Sequence, residues 1–316
     1  MYLNIWDDYP APLYNRDYYN SCDLLMGISK QTVNINKLVL GDLAKDKVIK
    51  YVPHGINSRA FYKIDKNYTH FDKFTEFKKN IFKGKDIEFT VFYNSRNIRR
   101  KCPADLIAAY RVFCDSIGKE KAKKCALILH TQPKDQNGTD LVKVKEALCD
   151  PEYVHVYFSK QKLTTEQMNW MYNLVDLTVL PSSNEGWGLS LTESMMSETM
   201  IAANVTGGMQ DQMRFVDDKG KWIDFDSDFP SNHRGTFKEH GEWALPIFPT
   251  NISVVGSIPT PYIFDDRCSF EDIATAIQSA YELSPEDRAL KGKAGREWAL
   301  SDEANMSAKS MSSNVI

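Results

Sequence analysis

One segment, residues 177–212, limits most strongly what this chain can fold into. It contains, in order, a short apolar run, a glycine turn, an amphipathic stretch, a second apolar run and a second glycine turn. We place these elements at Leu177 to Leu180, Gly186 to Gly188, Leu189 to Ser197, Ile201 to Ala203, and Gly207 to Gly208. This order predicts a βαβ unit of a parallel sheet, and such sheets bind anionic ligands at the carboxyl ends of their strands.

Two carboxylates lie inside this unit, Glu185 in the turn and Glu193 early in the helix, with seven residues between them. Each has an ordinary structural explanation. Glu185 fits a solvated loop acid, and Ser190 with Glu193 fits a capping box that closes the start of the helix. The local sequence leaves these alternatives open.

The context of the two glutamates, Pro-Ser-x-x-Glu-Gly-Trp-Gly-Leu, resembles the E-x7-E signature of the retaining glycosyltransferases of family 4. The resemblance implies a GT-B fold, in which two Rossmann-like α/β domains face each other across a cleft. It also implies that Glu185 contacts the donor sugar and that Glu193 binds the ribose hydroxyls. The backbone of Gly186, Gly188, Leu189 and Ser190 would then bind the donor at the helix N-terminus.

A cluster of cations follows another buried strand, Glu88 to Tyr93, and precedes a helix that starts at Pro103. By the resemblance, Arg96 and Lys101 hold the donor diphosphate, with Arg99 and Arg100 as nearby alternatives. Fixed cations would stabilise the negative charge that grows on the leaving phosphate. The other interpretation is a solvated basic loop, as most charge runs are.

Two further strands, Ala126 to Leu129 and Val154 to Phe158, end in polar residues. In the family the loops after these strands flank the nucleotide base. By this analogy His130, Ser159 and Lys160 are expected near the donor. The helix from Thr165 to Val175 carries methionine and aromatic residues that we expect in the core.

The resemblance also divides the chain. Residues 1–53 are expected to form a partial acceptor-side domain, residues 54–300 a donor-binding domain, and residues 301–316 a polar tail that crosses back. The last residues of this tail, from Ser307 onward, are expected to fray. The run Pro-His-Gly-Ile-Asn at residues 53–57 resembles the family's linker between the two domains, and His54 within it is interpreted as a structural or ligand-proximal histidine. About fifty residues precede this linker, so the sequence is interpreted either as a fragment or natural truncation or as a chain whose acceptor half is reduced.

Two regions lack a clear period. Residues 58–86 are interpreted as a surface excursion, and residues 217–264 as hairpins or an ordered flap. Aromatic residues of the second region either cover the cleft or, as the simpler account, pack in the core; they are Trp222, Trp243, Phe248 and Tyr262.

Composition narrows the function. The net charge of −3 argues against nucleic acid and anionic membranes as partners, and no apolar run is long enough to span a bilayer. The 6 cysteines are scattered without paired CxxC spacing and indicate reduced thiols of a cytoplasmic protein. A charged loop and a helix N-terminus can neutralise the leaving group without a metal, so neither a metal nor another cofactor is expected.

The sequence therefore predicts a metal-independent, retaining glycosyltransferase that uses a nucleoside diphosphate sugar. The catalytic residues are predicted to be Glu185, Arg96 and Lys101. The main alternative is a non-catalytic subunit that binds a nucleotide sugar or a partner, and an epimerase or phosphorylase of the same fold is a further one. The sugar, base, acceptor and oligomeric state are left undetermined.

Overall fold

The structure, a computed structural model, describes residues 2–4, 12–258 and 260–315. Within these residues the chain forms a six-stranded parallel sheet, a three-stranded parallel sheet and a two-stranded antiparallel hairpin. The strands are β1 Tyr2–Asn4, β2 Leu24–Gly27, β3 Val48–Tyr51, β4 Phe89–Asn94, β5 Cys125–His130, β6 Val156–Ser159, β7 Leu177–Leu180, β8 Met200–Asn204, β9 Ala244–Ile247, β10 Asn251–Ser257 and β11 Thr260–Arg267.

The order of strands in the large sheet is β6-β5-β4-β7-β8-β9. The chain therefore moves outward from β4 to β6, returns to the other side of β4 at β7, and moves outward again. In such doubly wound sheets a crevice forms where the strand order reverses, outside the carboxyl ends of the two central strands. Here that point lies between β4 and β7, so the loops after Asn94 and Leu180 must meet there.

The helices are α1 Arg16–Asn20, α2 Lys30–Leu40, α3 Phe71–Phe82, α4 Pro103–Ile117, α5 Lys119–Ala122, α6 Leu141–Leu148, α7 Thr165–Leu174, α8 Leu189–Met196, α9 Met209–Met213, α10 Phe270–Glu282, α11 Pro285–Ala299 and α12 Ala308–Val315. Their starts follow from the sequence. Thr164 and Gln167 form a capping box before α7, while Ser269 and Ser284 cap α10 and α11. No helix among the described residues is both long and apolar enough to cross a membrane.

Two expectations are corrected. Residues 58–86 are not irregular throughout, because α3 lies within them and packs Phe74, Phe77 and Ile81 against the core. The tail does not fray after Ser307, because α12 follows and Ile56 of the linker pairs with Ser307. In both segments only part of the surface is apolar, and tertiary contact stabilises the helix.

The core of the large sheet is continuous, and its central strands β4, β7 and β8 are almost wholly buried. The three-stranded sheet packs on α1 and α2 around a separate cluster, which consists of Tyr19, Leu25, Ile35, Val39 and Leu40. A parallel sheet covered by helices needs apolar residues on both strand faces. The sequence therefore shows the central strands β4, β7 and β8 as mainly apolar runs.

The two sheets are joined by contacts at the start of α2. The backbone N–H of Lys30 donates to Asp211 Oδ2 at 2.9 Å, and Lys30 Nζ donates to the carbonyl of Ile223 at 2.6 Å. The same Nζ lies 3.5 Å from the ring centroid of Trp222. These contacts fix the small sheet beside the switch point.

The aromatic residues of the 217–264 region divide between the two interpretations. Trp222 and Trp243 are buried and pack on Trp298, with ring centroids 5.3 and 5.0 Å apart, so they belong to the core. Phe248 is half-buried and contacts Phe215. Tyr262 lies on the hairpin formed by β10 and β11, and its ring packs edge-on against that of Tyr14.

Candidate active site

A cleft of about 650 Å³ lies at the switch point, and its walls come from both sheets. From the large sheet come the residues that follow β4 and β7 and those that begin α8, namely Asn94, Ser95, Arg100, Lys101, Asn184, Glu185, Gly186, Trp187, Gly188, Leu189, Ser190 and Glu193. From the small sheet, the linker and the hairpin come Tyr2, Asn15, Tyr19, Ile28, His54 and Ile263.

Two glycine turns hold the floor of the cleft. Gly188 has a φ of +88°, a left-handed conformation that favours glycine, and it places the start of α8 against the cleft. The N–H of Gly208 donates to the carbonyl of Glu185 at 3.0 Å, so the second turn packs directly on the first. A Cβ atom at Gly208 would lie 2.2 Å from the carbonyl oxygen of Gly186, which explains the need for glycine there.

Glu185 is buried and lies between two cations. Its carboxylate accepts hydrogen bonds from Lys101 Nζ and, at 2.8 Å, from Arg100 Nη1. A buried carboxylate needs such partners because the loss of hydration is costly. Two positive charges and one negative charge leave this part of the cleft net positive, which suits an anionic ligand.

Glu193 lies deeper on α8 and accepts a hydrogen bond from the hydroxyl of Tyr172 at 2.6 Å. The amide of Asn94 donates to the same hydroxyl at 2.9 Å, so the ring is fixed from both sides. Burial raises the pKa of Glu193. The capping-box interpretation is wrong, because the N-cap residue of α8 is Gly188 and no side chain among the described residues caps the helix.

The loop after β4 distributes its cations. Arg96 points away from the cleft and pairs with Asp135 at 2.9 Å, and its side chain is 63% exposed. Arg99 pairs with Asp265 at 3.1 Å. A 3-10 turn at Arg99–Lys101 then directs Arg100 and Lys101 toward Glu185. The structure thus brings Lys101 into the cleft as expected, but with Arg100 beside it and not Arg96.

The residues assigned to the nucleotide base lie apart from this cleft. His130 and Ser159 contact each other, with 3.0 Å between Nδ1 and Oγ, and burial lowers the pKa of His130. Ser159 and Lys160 line a second cavity of about 690 Å³ beside the edge strand β6. The structure therefore does not bring these residues to Glu185, and their role stays a prediction.

His54 lines the cleft, and its Nδ1 atom is buried without a hydrogen-bond partner among the described residues. Burial lowers the pKa of His54, which favours the neutral imidazole near neutral pH. Tyr172 matches the expectation of a core residue, and only its hydroxyl reaches the site. Sequence analysis did not predict five other residues that line the cleft, because they belong to no motif and reach it only through the tertiary fold. They are Tyr2, Asn15, Tyr19, Ile28 and Ile263.

The described residues contain no group of three or more His, Cys, Asp or Glu side chains that could hold a metal ion, and the independence from metal stays a prediction. The 6 cysteines, all within the described part, are free thiols. A doubly wound sheet with a cleft at its switch point defines a Rossmann-like α/β protein, and the cations of the cleft suit an anionic ligand.

Comparison with known proteins makes this class more specific. Residues 73–227, slightly less than half of the chain, match the family model described as Glycosyl transferases group 1. A comparison with curated proteins gives no match. Among solved structures, sucrose-phosphate synthase from Thermosynechococcus elongatus superposes with a TM-score of 0.62 at 20% identity, covering 96% of this chain and 59% of that one.

Two further structures are similar. HepE from Anabaena, in complex with UDP and glucose, gives a TM-score of 0.64 at 14% identity and covers 96% of this chain and 64% of its own. The UDP-forming alpha,alpha-trehalose-phosphate synthase from Burkholderia xenovorans gives 0.65 at 9% identity and covers 98% and 66%. The chain thus spans about three-fifths of the length of these neighbours.

The fold expectation is confirmed: the chain has the α/β architecture of the GT-B glycosyltransferases. The match of residues 73–227 to that family model supports a glycosyltransferase. The membership of family 4, the retaining chemistry, the donor and the acceptor stay predictions.

Proposed function

We propose that this protein is a retaining glycosyltransferase of family 4 that transfers a sugar from a nucleoside diphosphate sugar to a hydroxyl acceptor. The observation that carries the proposal is the group formed by Glu185, Lys101 and Arg100 at the switch point, beside the uncapped start of α8. Uridine diphosphate is the first nucleotide to test, because HepE is described in complex with UDP and with UDP-glucose.

Each residue then has a defined part. Lys101 and Arg100 bind the diphosphate, with the backbone of Gly188 and Ser190 at the helix N-terminus. Glu185 lies where it can contact the donor sugar, and Glu193, held by Tyr172, offers its carboxylate to the ribose hydroxyls. By resemblance alone, Arg96 is a competing diphosphate ligand.

The transfer needs no nucleophile from the protein. The bond between the anomeric carbon and the phosphate oxygen breaks, and the acceptor oxygen bonds to the same face of the anomeric carbon. The acceptor proton passes to the leaving phosphate. The cations stabilise the charge of that phosphate in the transition state, and this accounts for the two positive side chains. No step requires a metal.

The test measures binding and turnover separately. Calorimetry with UDP, GDP, ADP and CDP identifies the base, and diphosphate release from the corresponding sugar nucleotide measures activity. Arg100→Ala should weaken diphosphate binding by roughly tenfold or more, since a hydrogen bond to a charged group contributes about 1.5–3 kcal/mol. Circular dichroism checks that the variant is folded.

Arg96→Ala is the matched comparison, because both arginines lie in one loop and pair with one carboxylate each. Equal losses in the two variants would return Arg96 to the diphosphate site. If none of the four diphosphates binds, the proposal fails. If one binds but no sugar is released or transferred with any acceptor, the non-catalytic binding subunit replaces it.

A further inference from the structure

The hairpin of β10 and β11 forms part of the cleft wall. Ile263 of β11 is half-buried and lines the cleft. Side chains two residues apart on a strand point to the same side, so Asp265 points the same way as Ile263. Asp265 is only 3% exposed, which shows that this side of the hairpin base is packed against the protein.

The base of the hairpin is attached to the loop that carries Glu185. Asp265 Oδ1 accepts hydrogen bonds from Ser183 Oγ at 3.1 Å and from Asn184 Nδ2 at 3.0 Å. The N–H of Asp266 donates to the carbonyl of Ser183 at 3.0 Å. Ile263 is therefore held at a fixed place relative to Glu185.

Farther along, the hairpin contacts the small sheet's side of the cleft. The ring of Tyr262 packs edge-on against that of Tyr14, with 5.2 Å between the centroids. Asn15, which follows Tyr14, and Tyr19 of α1 both line the cleft. The hairpin thus connects the loop of Glu185 to the N-terminal residues opposite it.

This side of the cleft is uncharged. Its lining residues in the described part of the chain are four apolar or aromatic ones, Tyr2, Tyr19, Ile28 and Ile263, and two polar ones, Asn15 and His54, and burial lowers the pKa of His54. The two cations that line the cleft, Arg100 and Lys101, lie on the opposite side, next to Glu185.

An acceptor that carries a phosphate would need a cation on this side, because burying an unpaired charge is costly. An apolar group, in contrast, gains from contact with isoleucine and tyrosine side chains. The apolar surface continues outward at Tyr18, which is 56% exposed and packs edge-on against Tyr2 with 5.1 Å between the ring centroids. The chemistry of the wall therefore favours an uncharged acceptor with an apolar part.

We propose that the β10–β11 hairpin is the acceptor-side wall of the cleft and that the acceptor is an uncharged hydroxyl compound with an apolar group next to the accepting hydroxyl. A glycoside with a hydrocarbon aglycone is the simplest compound of this class. The inference rests on the proposed function. It adds Ile263 as a residue that determines acceptor specificity.

The experiment measures binding to the full chain saturated with UDP. Ligand-observed NMR compares octyl β-D-glucopyranoside, below its micellar concentration, with methyl β-D-glucopyranoside and glucose 6-phosphate. The octyl compound should bind at least tenfold more tightly than the methyl compound, because a few buried methylene groups contribute about 0.8 kcal/mol each. Glucose 6-phosphate should bind no better than the methyl compound.

Ile263→Ala should weaken binding of the octyl compound about fivefold and leave the methyl compound unchanged, since only apolar contact is lost. Val254→Ala is the matched control, because Val254 lies on the same hairpin, is 66% exposed and does not line the cleft. Val254→Ala should leave the affinities for the octyl and the methyl compounds unchanged. Calorimetry with UDP should give the same affinity for the wild type and both variants.

Three results would overturn the inference: no binding of the octyl compound, unchanged octyl binding in Ile263→Ala, or glucose 6-phosphate as the tightest ligand. In each case unaltered UDP binding leaves the proposed function standing. Failure of UDP and the other diphosphates to bind the wild type is the separate result that removes the proposed function itself.

Discussion

Replacing Glu185 by glutamine should strengthen diphosphate binding while reducing sugar transfer. In the structure the carboxylate already accepts hydrogen bonds from two cations that line the cleft, Lys101 and Arg100. A diphosphate that enters must share these cations with Glu185 and experiences repulsion from its negative charge. Glutamine keeps the size of the side chain and removes the charge.

The size of the gain follows from the geometry. Two unit charges 4 Å apart interact by about 4 kcal/mol at an effective dielectric constant of 20. The Arg100 side chain is 40% exposed and that of Glu185 is 8% exposed, so solvent screens part of this interaction. A net gain of about 1–2 kcal/mol, or roughly five- to thirtyfold in UDP affinity, is the expected result.

Calorimetry with UDP is the appropriate assay, because UDP lacks the sugar that Glu185 is proposed to contact. Sugar transfer from UDP-glucose is measured in parallel and should fall by at least two orders of magnitude, as for loss of a key transition-state contact. The gain in UDP affinity should shrink at higher salt, since screening weakens the repulsion that the substitution removes.

Asp135→Asn is the control, because it releases Arg96 in the way that Glu185→Gln releases Arg100. It should leave UDP affinity unchanged. Weaker UDP binding by Glu185→Gln would refute the reasoning that Glu185 competes with the diphosphate. An equal gain in both variants would show that Arg96 also binds the diphosphate.

Three other predictions concern pH and packing. Burial raises the pKa of Glu193, so UDP affinity should fall at acid pH more steeply in the wild type than in Glu193→Gln, which reports the titration of the phosphate alone. Burial raises the pKa of Asp211 to about 6, so the folded state binds a proton more tightly than the unfolded chain. The free energy of unfolding should therefore decline as the pH rises from about 4 to about 6. Urea unfolding should show that Asp211→Asn removes about 1 kcal/mol or more of this decline. Gly208→Ala should lower the melting temperature and abolish the response to UDP, because its Cβ would collide with the Gly186 carbonyl, whereas Gly220→Ala meets no neighbouring atom and costs only backbone strain.

The strands of the large sheet could be predicted because both of their faces are buried. Leu177–Leu180 has the predicted bounds, and Phe89–Asn94 and Cys125–His130 differ from prediction by one residue at each end. An apolar run between polar loops leaves few alternatives for such a strand. The helix that starts at Pro103 was equally clear from sequence, because proline is favoured at the first position of a helix.

Elements that are half exposed could not be predicted in this way. In α3, the residues Phe74, Phe77 and Ile81 have helical spacing, but lysines and other charged residues between them obscure the period. The strands of the hairpin alternate around glycine and proline, and their position depends on contacts with residues more than 80 positions away, such as Asp265 with Asn184. Such contacts leave no local signal.

The site shows the same division. Glu185 and Glu193 were found because their spacing and glycine turns are local features, and both line the cleft. Which arginine of the loop after β4 joins them depends on the direction of the 3-10 turn at Arg99–Lys101. Sequence alone therefore identifies the cationic loop but not the cation.

The attachment of the hairpin has a consequence for how specificity can change in this fold. Asp265 binds Ser183 and Asn184, which directly precede Glu185, so a substitution at Asp265 would move the hairpin and the buried carboxylate together. Ile263 makes no such bond and only presents an apolar surface to the cleft. The acceptor side can therefore vary at Ile263 while the hydrogen bonds at the base of the hairpin keep Glu185 in place, which separates the choice of acceptor from the binding of the donor.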